Sequence, residues 1–198
     1  RDEGGAPGEF LAVEPTSDEL AALAGGVDGR TGHAATWHAL VASSRSEVLL
    51  ATPYFLPDAQ FRRRLIDAVE RGVRVVVVIP RRCDIRWFMH AGRRSYADLL
   101  RAGVEIWERC DRMIHAKVAV VDGRMAAIGS ANLNRLSFYG NSETLLLTGS
   151  PAVVEGINSL IAAESASVAD RIDGCSWPTH PDRSRLSELI SSTLGLVG

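Results

Sequence analysis

Apolar residues recur at helical spacing over residues 33–44, where Trp37, Leu40 and Val41 share one side. Glu47-Val48-Leu49-Leu50-Ala51 follows as a short buried strand. Pro53 and Pro57 then bracket a loop at its C-terminal end, where open α/β sheets place their sites. Asp58 is an N-cap residue for a helix through Glu70. That helix carries Phe61, Leu65, Ile66 and Val69 on one side and Arg62, Arg63 and Arg64 largely on the other. The β-branched run from Val73 to Ile79 predicts a central strand covered on both faces. Strand, helix, strand in this order implies a right-handed parallel crossover. Asp84 begins a second helical region that runs to about Arg101, and Val104 to Glu108 gives the next strand. Asn141 to Leu147 reads as a strand, 151–170 as a helix packing Val153, Val154, Ile157, Leu160 and Ile161, and 183–194 as a final amphipathic helix.

Between these elements lies a predicted hairpin. Residues 113–121 are mostly apolar and valine-rich, Asp122-Gly123 is a tight-turn pair, and 125–131 returns as the second strand. A hydrophobic hairpin needs neither a histidine nor a lysine, yet His115 and Lys117 stand two apart and project side by side. Ser130 and Asn132 share a parity on the next segment and reach the same spot. An imidazole, an ammonium, a hydroxyl and an amide together suit a phosphoryl group. Lys117 supplies charge, Ser130 and Asn132 supply donors, and His115 supplies a nucleophile or a proton.

The N-terminal part looks different. Residues 1–15 are rich in Gly, Pro and acids, Ser17-Asp18-Glu19-Leu20 starts a short helix ending at Gly25-Gly26, and Asp28-Gly29 and Thr31-Gly32 mark a loop. The organisation expected is an irregular segment or linker over 1–30 and one domain over 31–198. With 46% hydrophobic and 23% charged residues, the 198-residue chain has ordinary globular composition. A net charge of −2 gives no general drive toward nucleic acid or anionic membranes. No apolar run reaches the roughly 18–20 residues that cross a bilayer. Cys83, Cys110 and Cys175 match no zinc spacing, and His33 and His38 are five apart, so no metal site is expected.

Two groups of residues carry open readings. Tyr54 and Phe55 either line a pocket entrance or pack as core aromatics. Arg86, His90, Arg93 and Tyr96 lie along one side of a helix, with Arg94 on its flank. Arg93 or Tyr96 then faces the pocket, or Arg93 and Arg94 form a surface stripe and Tyr96 packs inside.

His115-x-Lys117-x4-Asp122-x6-Gly129-Ser130-x-Asn132 matches the signature of the phospholipase D superfamily without a gap. Ala51-Thr52-Pro53-Tyr54-Phe55-Leu56-Pro57-Asp58 resembles the segment that opens the catalytic halves of bacterial cardiolipin synthase-like enzymes. Arg71 to Pro80 resembles these enzymes too, Ala102 to Trp107 fits just ahead of the motif, and Asn141-Ser142-Glu143 resembles the Asn-x-Glu that follows it. The resemblance spans roughly 33–180 and implies a phospholipase D-like α/β fold, a mixed, mostly parallel sheet with helices on both faces.

The resemblance also implies a chemistry. Neutral His115 attacks phosphorus to form a phosphohistidine, Lys117 and Asn132 hold the non-bridging oxygens, Ser130 supports the pocket, and water or an alcohol displaces the histidine. No cofactor or metal is needed. Glu143 is assigned to the second ring nitrogen of His115. Asp122 belongs to the signature and so joins the catalytic set, but it occupies the turn with parity opposite His115 and reads as mainly structural.

The leaving alkoxide takes its proton from the histidine of a second motif. This chain has one motif, so a homodimer partner or a missing N-terminal half is implied. The expected activity is a phosphodiesterase or phosphatidyltransferase acting on phospholipids, in the cytoplasm or peripherally on the membrane, with any anchor outside this chain. A nuclease of the same superfamily and a non-catalytic scaffold half are the alternatives, and the sequence pI of about 6.2 makes nucleic acid the less suited partner.

Overall fold

A computed structural model describes residues 11–13, 21–26, 32–166 and 169–172. In chain order these form β1 (Leu11–Val13), β2 (Ala21–Gly26), α1 (Gly32–Ser43), β3 (Glu47–Ala51), α2 (Ala59–Glu70) and β4 (Arg74–Pro80). Then follow α3 (Arg86–Arg93), α4 (Tyr96–Ala102), β5 (Glu105–Arg109), β6 (Val118–Val121) and β7 (Met125–Gly129). The remainder is α5 (Arg135–Tyr139), β8 (Glu143–Thr148), α6 (Pro151–Ala166) and β9 (Ala169–Arg171). All the described strands join one sheet in the order β1-β2-β8-β7-β6-β3-β4-β5-β9.

Strand parity divides the core into two layers. Val48 and Leu50 of β3, with Val75 and Val77 of β4, face one side and pack with Trp37, Phe61, Leu65 and Leu99 from α1, α2 and α4. Leu49 and Ala51, with Val76 and Val78, face the other side and meet Val154, Ile157 and Ile161 of α6. Both faces of these strands are apolar because both are covered, which is why their sequence runs unbroken. Asp58 caps α2 by accepting a hydrogen bond from the Phe61 amide at 2.7 Å.

The mixed α/β architecture with helices on both faces agrees with the sequence, but the balance of pairings differs. Only β3–β4 and β4–β5 are parallel. The other pairings are antiparallel, including β3–β6, β6–β7 and β7–β8. The apolar runs of β3 and β4 announce the parallel centre, whereas the flanks are hairpins and returning edges.

Four local expectations are corrected. Residues 21–26 form a strand rather than the end of a helix, pairing Ala21 with Thr148 through Gly26 with Glu143. This ladder satisfies the outer backbone edge of β8, a tertiary demand that local propensity does not show. With β1 it also replaces the irregular reading of part of 1–30, while Ser17–Leu20 lie outside the described residues. The helix expected over 84–101 is broken between α3 and α4, where the Ser95 hydroxyl bonds back to the Gly92 carbonyl at 2.7 Å. The helix expected over 151–170 stops at Ala166, and β9 pairs with β5. The final helix expected over 183–194 lies outside the described residues.

The hairpin turn has φ of 53° at Asp122 and 60° at Gly123, the paired positive φ that a type I′ turn requires. The Asp122 carboxylate accepts hydrogen bonds from the backbone N–H of Arg45, Ser46 and Glu47 and from the Ser46 hydroxyl, at 2.8–3.1 Å. Burial pushes its pKa up, but these donors outweigh it and hold the carboxyl below the usual range. Gly129 is needed for a different reason. A Cβ there would meet the Thr144 carbonyl oxygen at 2.5 Å and Leu145 Cδ1 at 2.9 Å.

Asp122→Ala is expected to destabilise the fold by about 2 kcal/mol, and Asp122→Asn by less, in urea denaturation at neutral pH. Because the folded pKa lies below the unfolded one, this stabilisation is complete above the ordinary aspartate pKa. It disappears as pH falls through the folded value, so wild type and variant converge in acid. Gly129→Ala is expected to lower stability by about 1–3 kcal/mol, since β7 and β8 must part. An unchanged thermal midpoint would contradict this.

Candidate active site

The site forms where β3 ends and β6 begins. Antiparallel pairing sets Ala51 opposite Val118, and Val118 opposite Ile128, so the end of β3, the start of β6 and the end of β7 meet. β8 brings Leu145 opposite Gly129, placing Glu143 at the same end. The parallel strand β4 ends there too, because Ala51 pairs with Val78. The loop after β3 is stitched across this end. Thr52 donates to the Val78 carbonyl at 3.2 Å and Leu56 to the Leu133 carbonyl at 3.0 Å.

His115 and Lys117 lie in the extended segment that leads into β6 rather than in the strand itself. Their alternation still puts both side chains together, with Lys117 Nζ 3.3 Å from His115 Nδ1 and 3.0 Å from the His115 carbonyl oxygen. Lys117 is only 9% exposed, while His115 is open to solvent. Desolvation holds the ammonium below lysine's ordinary 10.5, partly offset by the charge of Glu143. A desolvated ammonium next to an exposed imidazole is suited to an anion, which restores the electrostatic partner that burial removed.

Ser130 and Glu143 form the opposite wall. The Ser130 amide donates to the Thr144 carbonyl, and its hydroxyl accepts from the Thr144 amide, both at 3.0 Å. The same hydroxyl donates to Glu143 Oε2, and Asn141 Nδ2 donates to Glu143 Oε1 at 3.3 Å. Glu143 is thus held by Ser130 and Asn141, and among the described residues it makes no hydrogen bond to His115. The Asn132 Oδ1 is shielded from solvent without a hydrogen-bond partner among the described residues, so this amide oxygen is not committed to the scaffold.

The other candidates separate cleanly. Asp122 sits at the far end of β6, roughly 16 Å along the chain from Lys117 at strand spacing, and is not brought to the site. Arg93 is neither a surface stripe nor a pocket residue. It is 4% exposed and grips Glu108 with two bonds of 2.9 and 2.8 Å. Tyr96 donates to the same carboxylate at 3.1 Å, and burial first, then Glu108, pushes its pKa well up. Arg94 is exposed, as a surface reading requires. Tyr54 and Tyr96 both border a small cavity with Pro53, Ile79 and Phe88. Phe55 is buried.

Tyr54 donates its hydroxyl to Asp84, and burial together with this bond pushes its pKa up to about 12. Asp84 escaped notice in the sequence because it resembled a helix start. Its place in the loop after a parallel strand was the available signal. Gly92 is the other silent contributor, since a Cβ there would collide with the Phe55 carbonyl oxygen. It lets α3 press against the loop that carries Tyr54.

Comparison with known proteins identifies the family and the fold. The family described as cardiolipin synthase, phospholipase D-like domain, matches residues 38–163. A cardiolipin synthase of Geobacillus thermodenitrificans is 32% identical over 93% of this chain and 37% of its own length. Cardiolipin synthase 2 of Bacillus anthracis is 38% identical over 54% of this chain and 21% of its own. The matched stretch therefore spans little more than a third of the first relative's length and about a fifth of the second's.

Among solved structures, the phospholipase D family member Nuc of Salmonella typhimurium superposes with a TM-score of 0.69 at 17% identity, covering 78% of this chain and 99% of that one. Phosphatidylserine synthase of Haemophilus influenzae gives 0.67 at 15%, covering 93% and 46%. These two establish a shared fold. With the family match and the site at the head of the β6–β7 hairpin, they place the conclusion beyond the motif alone: this chain belongs to the phospholipase D-like domain family of cardiolipin synthases.

Proposed function

We propose that this chain is a catalytic domain of a metal-independent phosphodiesterase or phosphatidyltransferase acting on phospholipids. The observation that carries the reading is the Lys117 ammonium, desolvated and 3.3 Å from the ring of an exposed histidine. His115 attacks phosphorus, and the P–O bond to the leaving alcohol breaks. Lys117 and the Asn132 amide take the non-bridging oxygens, while Ser130 braces Glu143 beside them. A water or alcohol hydroxyl then displaces His115 from phosphorus, giving its proton to the companion histidine that protonated the leaving alkoxide, and the free imidazole of His115 is regenerated.

Glu143 acts in this reading by placing negative charge near Lys117 and by fixing Ser130. Contact with His115 would come only when substrate is bound, since catalytic hydrogen bonds often tighten at that stage. The leaving alkoxide must be protonated, and the residue proposed for this is the equivalent histidine of a second motif. That motif comes from a companion half or a second copy of the chain. The relatives' greater length leaves room for such a half.

Leu136 and Tyr139 of α5, and Ile85 beside Asp84, are exposed apolar residues. They support a peripheral approach to lipid. No helix among the described residues is long and apolar enough to cross a membrane.

Hydrolysis of a chromogenic phosphodiester in excess chelator tests the reading. Wild-type protein with its companion motif is expected to turn over, and His115→Ala to lose at least about a thousandfold in kcat/KM. Equal activity of the two, or none in wild type, would overturn it. A pH profile gives a second test. Lys117 must be charged to hold the diester, and its pKa is lowered, so KM is expected to rise on the alkaline side at a pH below 10.5. Lys117→Arg, whose charge persists, is expected to remove that alkaline rise.

A further inference from the structure

We propose that Thr52 is a positioning residue of this site: when an anion binds, the Thr52 hydroxyl accepts a hydrogen bond from the Lys117 ammonium and so draws Lys117 off the ring of His115. The inference rests on the reading of the site as a phosphodiester site and concerns the release of its nucleophile. An ammonium can only donate, so His115 Nδ1, 3.3 Å from Lys117 Nζ, is the unprotonated nitrogen, and the ring proton sits on Nε2. The lone pair of Nδ1 is engaged, and Nε2 has none to offer. Neither nitrogen attacks phosphorus until Lys117 lets go.

The register puts Thr52 where Lys117 can turn. β3 and β6 set Ala51 against Val118, so the next pair outward is Thr52 and Lys117. At the other end of this ladder the Asp122 amide donates to the Glu47 carbonyl. Pairs alternate along an antiparallel ladder, which makes Thr52–Lys117 a non-hydrogen-bonded pair. Two bonds agree with this. The Thr52 amide donates away from β6, to Val78 of β4 at 3.2 Å, and the Lys117 carbonyl accepts from Gly129 of β7 at 3.0 Å. Side chains of such a pair share a face, with Cβ atoms about 4.5–5.5 Å apart.

Thr52 is fully buried, and its Oγ1 has no hydrogen-bond partner among the described residues. A hydroxyl shut away from water without a partner is destabilising, and valine fills the same space without that penalty. The hydroxyl is accounted for by a partner in another state of the site. Lys117 has three N–H groups, of which one goes to the His115 carbonyl at 3.0 Å and one to Nδ1. With an anion in place, a phosphoryl oxygen and Thr52 Oγ1 take two of the three, and the carbonyl keeps the other. Nδ1 then gains a proton from water as Nε2 gives one up to water, because His115 is open to solvent. Nε2 acquires the attacking lone pair, and the new Nδ1–H is a donor that Glu143 can accept.

Two tetrahedral anions provide the test: inorganic phosphate, which is only held, and orthovanadate, which takes a fifth ligand and so draws on a ring lone pair. Calorimetry compares them in wild type, Thr52→Val and Thr52→Ser. Thr52→Val is expected to bind phosphate within about twofold of wild type, since one acceptor of Lys117 merely replaces another. Vanadate is expected to bind it about tenfold more weakly, a typical value for a hydrogen bond to a charged group. Thr52→Ser, which keeps the hydroxyl, is expected to retain the wild-type ratio. With a chromogenic diester, kcat of Thr52→Val is expected to fall about tenfold at little change in KM. Nitrogen NMR of labelled histidine in the free wild-type protein at about pH 8, above histidine's ordinary range, is expected to find the His115 proton on Nε2.

Equal weakening of both anions in Thr52→Val is the mark of a merely structural role and overturns the proposal. So does an unchanged ratio, or a ring proton on Nδ1 in the free protein. Absence of wild-type diester turnover counts against the phosphodiesterase reading instead, and the two-anion ratio still decides the role of Thr52.

Discussion

The structure depends on how β3 is paired. On one side it runs parallel to β4, and on the other antiparallel to β6, in a fixed register that sets Ala51 against Val118. A slip of one residue would exchange the two apolar faces of β3 and expose one of the two core layers. The same register decides that the chain enters β6 at the end where β3 and β4 finish. His115 and Lys117 are therefore delivered to the loop end of the parallel strands by backbone hydrogen bonds formed well away from them. The Asp122 clamp holds the opposite end of the hairpin to the start of β3. Asp122 thus serves the site by securing the register and needs no contact with the reacting groups.

A second constraint is the buried carboxylate of Glu108. At 1% exposure, it is held by Arg93 and Tyr96, with Arg81 Nε 3.9 Å away. Such a group is a poor source of stability in absolute terms, but removing one partner leaves a stranded charge at a cost of about 3–5 kcal/mol. Its geometric effect is clearer. It ties α3 and α4 to the end of β5, and α3 in turn carries Phe88 against Tyr54. The loop facing the site is thereby supported from beneath by a buried ion pair.

Much of this was legible in the chain. The hairpin announced itself through Asp122-Gly123, and the spacing of His115 from Lys117 held even though both residues precede the strand, because an extended segment keeps the alternation of a ladder. The apolar runs of β3 and β4 likewise declared strands buried on both faces. What could not be read was set by distant partners. The pairing of Ala21–Gly26 with β8 depends on an unsatisfied edge more than a hundred residues away. Arg93 looked like a surface cation because nothing near it in sequence identifies Glu108 as a buried acid. Gly129 was visible as part of a motif, but its physical necessity is the Thr144 carbonyl across the sheet.

Charge economy links these observations. With a net charge of −2 on this chain, attraction for an anion comes from local groups rather than from an overall field. Locality is achieved by burying one ammonium, whose lost hydration makes it a strong but short-ranged partner for an anion. The charge of Glu143 partly offsets the desolvation that lowers the Lys117 pKa.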